Sequence, residues 1–266
     1  MKTYLIGFIG CGNMGGALVR AAAKSINGNE IAVCDYDLKK AQALASECGA
    51  SVLSAKEIAR NCRFIVLGVK PQNMQETVAT FSDDLKENAN AVVITMAAGL
   101  SISAIRSFLG ADLPVIRIMP NTPAQVGEGM ILYDTLGVSK DDEKAFLDCF
   151  AKAGVLDKLP EEKIDAASAL SGCGPAFVYA FAEALADGAV ECGVPRDKAA
   201  SYAAQTLLGA AKMLLTYGHP ADLKDAVCSP GGTTIAGIHA LEKAGFRNAA
   251  MDAVSAAYKR TLELKK

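Results

Sequence analysis

The run Cys-Ser-Pro-Gly-Gly-Thr-Thr at residues 228–234 has the composition of an anion-binding loop. Pro230 fixes its own φ and restricts the residue before it, whereas the two glycines that follow can turn successive N–H groups toward one point. At the start of a helix such N–H groups bind a carboxylate or a phosphate, and the hydroxyl groups of the run add uncharged donors. The alternative is a tight turn that caps a helix. The predicted ligand-binding residues are Ser229, Gly231, Gly232, Thr233 and Thr234.

A second glycine-rich loop, Gly-Cys-Gly-Asn-Met-Gly at residues 10–15, follows an apolar run. A G-x-G-x-x-G string between a strand and a helix binds the pyrophosphate of a dinucleotide. Gly10 would make the turn, Gly12 would let the pyrophosphate approach the backbone, and Gly15 would let the helix pack closely on the strand. The alternative is a merely tight strand–helix turn. The predicted cofactor-binding residues of this loop are Ile9, Gly10, Cys11, Gly12, Asn13 and Met14.

Asp35 ends the second predicted strand, twenty residues after Gly15. An acidic side chain there accepts hydrogen bonds from the adenosine ribose and repels a 2′-phosphate, which favours NAD(H). Lys39 and Lys40, however, lie close enough along the chain to offset that charge. The alternative for an aspartate in this segment is a helix cap, a role that suits Asp37 better than Asp35. The cofactor therefore stays open between NADH and NADPH.

Two short motifs follow later strands and point to the same edge of the sheet. A proline after a strand ends it, so Lys70 would lie at the carboxyl edge, where open α/β sheets bind ligands. The small side chains at residues 97–99 would let a nicotinamide riboside lie against the backbone. As a single residue, Lys70 could equally be a solvated surface charge. The predicted cofactor-binding residues of these motifs are Val69, Lys70, Pro71, Ala98 and Gly99.

The bulk composition excludes several classes of partner. The 266 residues carry a formal net charge of −2, which argues against nucleic acid because phosphate backbones require a surplus of Lys and Arg. We find no apolar run of the roughly 18 residues that suggest a membrane span. The first apolar run is too short for a signal peptide and ends at a glycine turn. We therefore expect a soluble, unprocessed protein.

Cysteine and histidine usage favours a cytoplasmic protein without a metal site. The eight cysteines form no C-x-x-C pair and lie mostly in apolar segments, as reduced core thiols do. The two histidines form no ligand pattern with each other or with cysteine, so no metal is predicted.

The amino-acid composition and the pattern of predicted elements change near Pro160. Before it, short β-branched runs alternate with helical segments, which predicts a doubly wound, mostly parallel sheet. After it, alanine-rich helical segments are separated by Gly and Pro, and apolar residues surround much of each helix, which favours dimerisation. We expect a dinucleotide-binding domain at 1–160 and an all-α substrate-binding and dimerisation domain at 161–266. The predicted strands span 4–9, 30–34, 64–69, 91–96, 115–119 and 129–133, and the clearest helices span 38–48 and 139–153.

Six motifs, in order along essentially the whole chain, resemble those of the pyrroline-5-carboxylate reductase family. The most specific are the Met-Pro-Asn, Ser-Gly-x-Gly-Pro-Ala and Ser-Pro-Gly-Gly-x-Thr strings. The resemblance implies hydride transfer from NAD(P)H to the C=N carbon of 1-pyrroline-5-carboxylate, giving L-proline, the last step of proline biosynthesis. It also implies homodimers that assemble further, often five of them into a decamer. The motifs lie at residues 10–15, 69–71, 97–99, 117–122, 171–176 and 229–234.

The resemblance also assigns roles to individual residues. It implies that the substrate carboxylate binds to the amides and hydroxyls of residues 229–233. Thr234 would hydrogen-bond the ring nitrogen as the catalytic residue, and Asn121 would border the nicotinamide pocket and contact the substrate. This chemistry needs no nucleophile, metal or histidine base, because a protonated cyclic imine accepts hydride once the two partners are positioned.

Two departures from the family pattern concern the cofactor domain. Members that favour NADPH often carry Ser, or Asn followed by Arg, near the end of the second strand, where this chain has Asp35-Tyr36. An Asn found in many members near the third strand is replaced around Ser54-Ala55. The cofactor preference, the oligomer size, feedback by proline and reduction of six-membered cyclic imines stay open.

Two other functions remain as alternatives. A β-hydroxyacid dehydrogenase of the 6-phosphogluconate type shares the two-domain plan but places a catalytic Lys on the helix after its interdomain segment. Here no Lys occurs between residue 176 and Lys198. A non-catalytic paralogue that binds a nucleotide is the second alternative, and the intact 229–234 loop counts against it.

Overall fold

The computed structural model describes residues 3–264. The chain divides into two compact units: the first runs to Cys173 and includes the residues from Ala257 onward, and the second is Gly174–Ala256. By its contacts, the helical stretch at 161–171 therefore lies in the first unit, although the sequence predicts it in the second domain. The functional boundary between residues 160 and 161 stays a prediction.

The first unit contains an eight-stranded sheet in the order β3-β2-β1-β4-β5-β6-β7-β8. All neighbouring strands are parallel except β6 and β7, which are antiparallel. The predicted doubly wound, mostly parallel sheet is confirmed, and β3 and β8 are additions that the sequence patterns do not reveal. The strands are β1 Tyr4–Ile9, β2 Ile31–Cys34, β3 Ser51–Val52, β4 Cys62–Leu67, β5 Val92–Thr95, β6 Val115–Met119, β7 Gly129–Leu136 and β8 Gly154–Lys158.

Helices cover both faces of this sheet. In β4, Phe64 and Val66 pack into one buried cluster, and Ile65 and Leu67 pack into the other. Because successive side chains of a strand point to opposite faces, a strand buried on both faces reads as a continuous apolar run. The helices of the unit are α1 Asn13–Ser25, α2 Leu38–Cys48, α3 Ala55–Asn61, α4 Met74–Ala79, α5 Ser82–Lys86, α6 Ile102–Leu109, α7 Lys140–Cys149 and α8 Glu161–Ser171.

The second unit is helical, as predicted. The hydrophobic residues buried in its described part are Ala186, on the helix Gly174–Glu191, and Ala199 and Ala203, on the helix Arg196–Tyr217. Many large apolar side chains stay exposed in the single chain, among them Tyr179, Leu215 and Met251. Its helices are α9 Gly174–Glu191, α10 Arg196–Tyr217, α11 Pro220–Ala226, α12 Thr233–Lys243 and the first part of α13 Phe246–Glu263.

One expectation about apolar stretches is wrong. The helical stretch Glu161–Glu191, which contains α8 and α9, is long and apolar enough to cross a membrane by length and composition, with a mean hydropathy of 1.3 in its 18-residue window. The sequence pattern hides it because the apolar residues are interrupted by polar and charged ones, such as Glu183 and Asp187, and do not form a continuous run. One such helix is weak evidence for a membrane span, and α8 packs against β6 and β7.

Candidate functional site

The first glycine-rich loop connects β1 to α1 and is packed against the end of β4. Gly10 has a φ of +107°, and a Cβ there would lie 2.5 Å from the carbonyl oxygen of Gly68. The Gly10 N–H donates to the Cys34 carbonyl at 2.8 Å, and the Gly68 N–H donates to the Ile9 carbonyl at 2.8 Å. The loop thus lies at the carboxyl ends of three neighbouring strands, where open α/β sheets bind ligands.

The other glycines of the loop fit a pyrophosphate. A Cβ at Gly15 would lie 2.1 Å from the Gly10 carbonyl oxygen, so only glycine lets α1 begin this close to the loop. A Cβ at Gly12 would meet nothing within 4 Å, so the backbone there is open to a ligand. Gly12 is also the N-cap of α1 and makes no side-chain cap bond. These are the roles that the dinucleotide motif assigns to its glycines.

Asp35 is bonded to the glycine-rich loop. Its Oδ2 accepts a hydrogen bond from the Cys11 N–H at 2.6 Å, and its Oδ1 accepts one from the Asp37 N–H at 2.8 Å. Asp37 is the N-cap of α2, with its Oδ1 accepting from the N–H groups of Lys39 and Lys40 at 3.0 and 3.4 Å. The helix-cap role is therefore confirmed for Asp37, whereas Asp35 connects the β2–α2 turn to the loop that follows β1.

Cys11 is not a nucleophile. Burial, followed by the nearby Asp35 carboxylate, raises the pKa of its thiol to about 12. A thiol that stays protonated at neutral pH is a poor nucleophile, because the thiolate is the reactive form. Among the described residues, no group of three His, Cys, Asp or Glu side chains could hold a metal ion.

A cavity of about 690 Å³ opens beside the glycine-rich loop. It brings together six of the predicted cofactor residues, and Cys11 and Asn13 line an adjoining cavity of about 300 Å³ that also includes Gly12. The walls of the two cavities include neither Met14, which begins the body of α1, nor Pro71, Ala98 and Gly99. The predicted residues that line the larger cavity are Ile9, Gly10, Gly12, Asp35, Val69 and Lys70.

The larger cavity also has walls that sequence reasoning missed. Ala55 begins α3 behind Ser54, whose hydroxyl and the Glu57 carboxylate form a capping box. Apart from Cys34, which ends β2, the other missed residues follow β2 or β4, so their place after a strand at the ligand-binding edge could have revealed them. They are Cys34, Tyr36, Gly68, Asn73, Glu76, Thr77 and Thr80.

Asn121 is engaged with the backbone of its own unit. Its Nδ2 donates to the Ser171 carbonyl at 2.9 Å, and its Oδ1 accepts from the Met130 N–H at 2.9 Å. The side chain therefore connects the end of β6 to the start of β7 and to the last residue of α8. With the residue 8% exposed, the amide is held in a fixed position. A direct contact of Asn121 with the substrate stays a prediction.

The loop at 228–234 has the geometry that the sequence predicts. Gly231 has a φ of +68°, and Gly232 is the N-cap of α12 without any side-chain cap bond. A Cβ at Gly232 would lie 2.4 Å from the Ser229 hydroxyl and 3.0 Å from the Ser229 carbonyl oxygen, so a larger residue there would displace the Ser229 side chain. Because the first N–H groups of a helix have no partner within it, those of Thr233 and Thr234 are available to a ligand.

The hydroxyl groups of this loop are available as well. Ser229, Thr233 and Thr234 are exposed. Within residues 3–264, none of these three hydroxyl groups makes a hydrogen bond. Free N–H groups and hydroxyls at one helix start are groups that can bind a small anion without a positive side chain. Binding of a ligand by residues 229–234 stays a prediction.

Comparison with known proteins identifies the family. Residues 161–264 match the pyrroline-5-carboxylate reductase dimerisation family, and residues 5–99 match the family of coenzyme F420-dependent NADP oxidoreductases. Pyrroline-5-carboxylate reductase of Pisum sativum is 39% identical over 98% of this chain and 96% of its own length. That of Methanosarcina acetivorans is 40% identical over 100% of both chains. The crystal structure of Plasmodium falciparum pyrroline carboxylate reductase with NADP bound covers 100% of both chains at 31% identity and a TM-score of 0.87. This chain therefore belongs to the pyrroline-5-carboxylate reductase family.

Proposed function

We propose that this chain reduces 1-pyrroline-5-carboxylate to L-proline with NAD(P)H, the last step of proline biosynthesis. The observation that carries the proposal is the uncapped start of α12 with its glycine turn and unpaired hydroxyls, on a chain that also holds a dinucleotide loop. A small carboxylate fits such a site, because backbone N–H groups and the helix dipole stabilise its single negative charge. Without a positive side chain in the loop, the bound acid can also dissociate readily.

The residues of the α12 loop would bind and orient the substrate. The N–H groups from Gly232 onward and the hydroxyls of Ser229 and Thr233 would hold its carboxylate. The Thr234 hydroxyl would hydrogen-bond the ring nitrogen, where a positive charge on the protonated imine disappears as the C=N bond is reduced. Bound NAD(P)H supplies the hydride to the C=N carbon. The protein contributes position and hydrogen bonds, so no further acid or base need lie in the loop.

The glycine-rich loop and its neighbours would hold the dinucleotide. Gly12 offers the open backbone for the pyrophosphate, next to the start of α1. Lys70 lines the same cavity and adds a positive charge for a phosphate. The contributions of Pro71, Ala98 and Gly99 belong to this proposal and rest on their places after β4 and β5.

Two alternatives are disfavoured by specific features. The 6-phosphogluconate-type dehydrogenases need a lysine on the helix after the interdomain segment, and α9 contains none. A non-catalytic nucleotide-binding protein would have no use for the intact α12 loop. Turnover of pyrroline-5-carboxylate distinguishes the proposed reductase from both alternatives.

A coupled absorbance assay tests the proposed function. Loss of the nicotinamide absorbance on adding pyrroline-5-carboxylate is expected with at least one of NADH and NADPH, together with formation of L-proline. A β-hydroxyacid as substrate with the oxidised cofactors is the control and should give no reaction. Absence of turnover with both reduced cofactors would contradict the proposal.

We propose that the protein is a cytoplasmic homodimer whose dimers assemble further, with a decamer of five dimers as one arrangement, and that it binds neither nucleic acid nor membrane. The match to the dimerisation family and the exposed apolar side chains of α9, α10 and α13 support the dimer. A monomer with this much exposed apolar surface would associate.

The oligomeric state is directly measurable. Light scattering on the purified protein at micromolar concentration is expected to report at least twice the 27.6 kDa chain mass. The double change Leu215→Lys and Met251→Lys places charges on two exposed apolar positions and should weaken association. The double change Lys39→Glu and Lys40→Glu alters the charge of two residues in the first unit and is the control. It should not weaken association. A stable 27.6 kDa species would contradict the proposed dimer.

A further inference from the structure

The β2–α2 turn carries two carboxylates, Asp35 and Asp37, beside the dinucleotide loop. The Asp35 oxygens each accept one backbone hydrogen bond, from Cys11 at 2.6 Å and from Asp37 at 2.8 Å. A carboxylate offers about four acceptor positions, so Asp35 can accept two more hydrogen bonds. Asp35 also lines the cavity of about 690 Å³. It is therefore fixed at the cavity wall with capacity left for hydroxyl groups.

Asp37 occupies the start of α2. The N–H groups at a helix start commonly bind a phosphate, but here Asp37 Oδ1 already accepts from those of Lys39 and Lys40. A phosphate placed at this helix start would meet a carboxylate instead of free donors. Asp37 lines neither of the two cavities, but it adds a second negative charge two residues from Asp35 and occupies the donors that could have compensated it.

The lysines that follow this turn do not line the cavity that Asp35 lines. Lys40 lines the separate cavity of about 300 Å³ with Arg20 and Glu47, and Lys39 lines neither of the two. Arg20 is itself occupied by a bidentate ion pair with Glu47, at 2.7 and 2.8 Å. The charged side chains in the wall of the larger cavity are Asp35, Glu76 and Lys70. Its wall is therefore more negative than positive.

We propose that this chain uses NADH in preference to NADPH and that Asp35 and Asp37 together set the preference, an inference that rests on the proposed function. The two cofactors differ only at the ribose 2′ position. A phosphate monoester there carries about 1.5 to 2 negative charges, which two carboxylates repel. The 2′-hydroxyl of NADH is instead a donor, and Asp35 can accept from it. A relative of 31% identity binds NADP with the same fold, so the fold itself accommodates the 2′-phosphate. The preference between the two cofactors must therefore come from the residues of the β2–α2 turn.

Direct binding measurements test the preference without the imine. Titrating the full-length oligomer with NADH and NADPH, followed by nicotinamide fluorescence, is expected to give a Kd at least tenfold lower for NADH near 0.1 M salt. At about 1 M salt the ratio should shrink, because the screening length falls to roughly 3 Å. Equal Kd values, or tighter NADPH, would overturn the proposal. If the preference holds but no imine is reduced, only the proposed function fails.

The variant Asp37→Ser separates charge from helix capping. Serine keeps an N-cap acceptor for α2 and removes the negative charge. The Kd for NADPH should fall about tenfold relative to that for NADH. Asp83→Ser is the matched control, because Asp83 lies in the first turn of α5 with its side chain 93% exposed and carries the same charge. Asp83→Ser should leave the ratio of the NADPH and NADH Kd values within twofold of the unchanged protein. An equal change of this ratio in Asp37→Ser and Asp83→Ser would overturn the role of the turn.

The variant Lys40→Met tests whether Lys40 offsets the negative charge of Asp35 and Asp37 when NADPH binds. Because Lys40 lines the smaller cavity, its replacement should leave the ratio of the two Kd values within twofold. A selective loss of NADPH binding in this variant would show that Lys40 compensates the carboxylates, and it would overturn the proposal.

Discussion

Replacing Thr234 by valine is expected to lower kcat/KM for the cyclic imine by about ten- to a hundredfold. Valine keeps the shape of the side chain and removes the hydroxyl, which is exposed and unpaired in this structure. A hydrogen bond to a charged nitrogen contributes roughly 1.5 to 3 kcal/mol, which corresponds to that loss. The measurement is steady-state turnover at saturating cofactor, together with the Kd for the cofactor.

Thr233→Val is the matched control for this prediction. Thr233 precedes Thr234 in the first turn of α12 and would bind the carboxylate mainly through its N–H group, which the change retains. We expect a loss of less than about fivefold, seen mostly in KM. Equal activity of Thr234→Val and the unchanged protein would show that the ring nitrogen lies elsewhere. A loss fully explained by weaker cofactor binding would show the same.

Replacing Arg117 by methionine is expected to destabilise the protein by about 3 to 5 kcal/mol, the cost of breaking a buried ion pair by removing one of its two members. Arg117 lies in β6 and is 2% exposed. Its guanidinium donates to the buried Asp165 of α8 and, at 3.3 Å, to Glu161. The Glu161 carboxylate also accepts from the Ile102 N–H at 2.7 Å. The change therefore removes an ion pair between α8 and β6.

Two further variants make this prediction specific. Arg20→Met breaks a bidentate pair at 2.7 and 2.8 Å whose side chains are 38% and 51% exposed, and it should cost less than about 1 kcal/mol. Arg117→Met with Asp165→Leu removes both buried charges and should recover part of the lost stability. The measurement is urea unfolding at one fixed protein concentration, because association contributes to stability. Similar losses for Arg20→Met and Arg117→Met would contradict the argument.

The local features of the dinucleotide half follow from the sequence. A loop with Gly10, Gly12 and Gly15 between an apolar strand and a helix leaves few alternatives, because the conformational and steric demands act within a few residues. The apolar runs likewise reveal the main strands, since strands buried on both faces must be apolar throughout. The glycines of the α12 loop and the cap by Asp37 are local in the same sense. The structure confirms each of these features.

The shortest strands are the exception within this half. β3 has two residues and β8 has five of mixed polarity, so neither carries enough periodicity to be recognised. Their place in the sheet comes from pairing with β2 and β7. Such pairing depends on what the rest of the chain leaves exposed at the sheet edges, which no local pattern contains.

The partners of the polar side chains were decided by the tertiary structure. Asp35 bonds Cys11 across 24 residues, Asn121 bonds Ser171 across 50, and Arg117 reaches Asp165 across 48. By sequence alone, the predicted partners of Asp35 were the ribose or a helix start, and those of Asn121 were the nicotinamide pocket and the substrate. A buried polar group must find a hydrogen-bond partner, but which one it finds depends on the backbone that folding brings beside it. The sequence by itself therefore determined the fold class and the geometry of the two glycine-rich loops, whereas only the tertiary structure decided which polar side chains bond to the backbone around them.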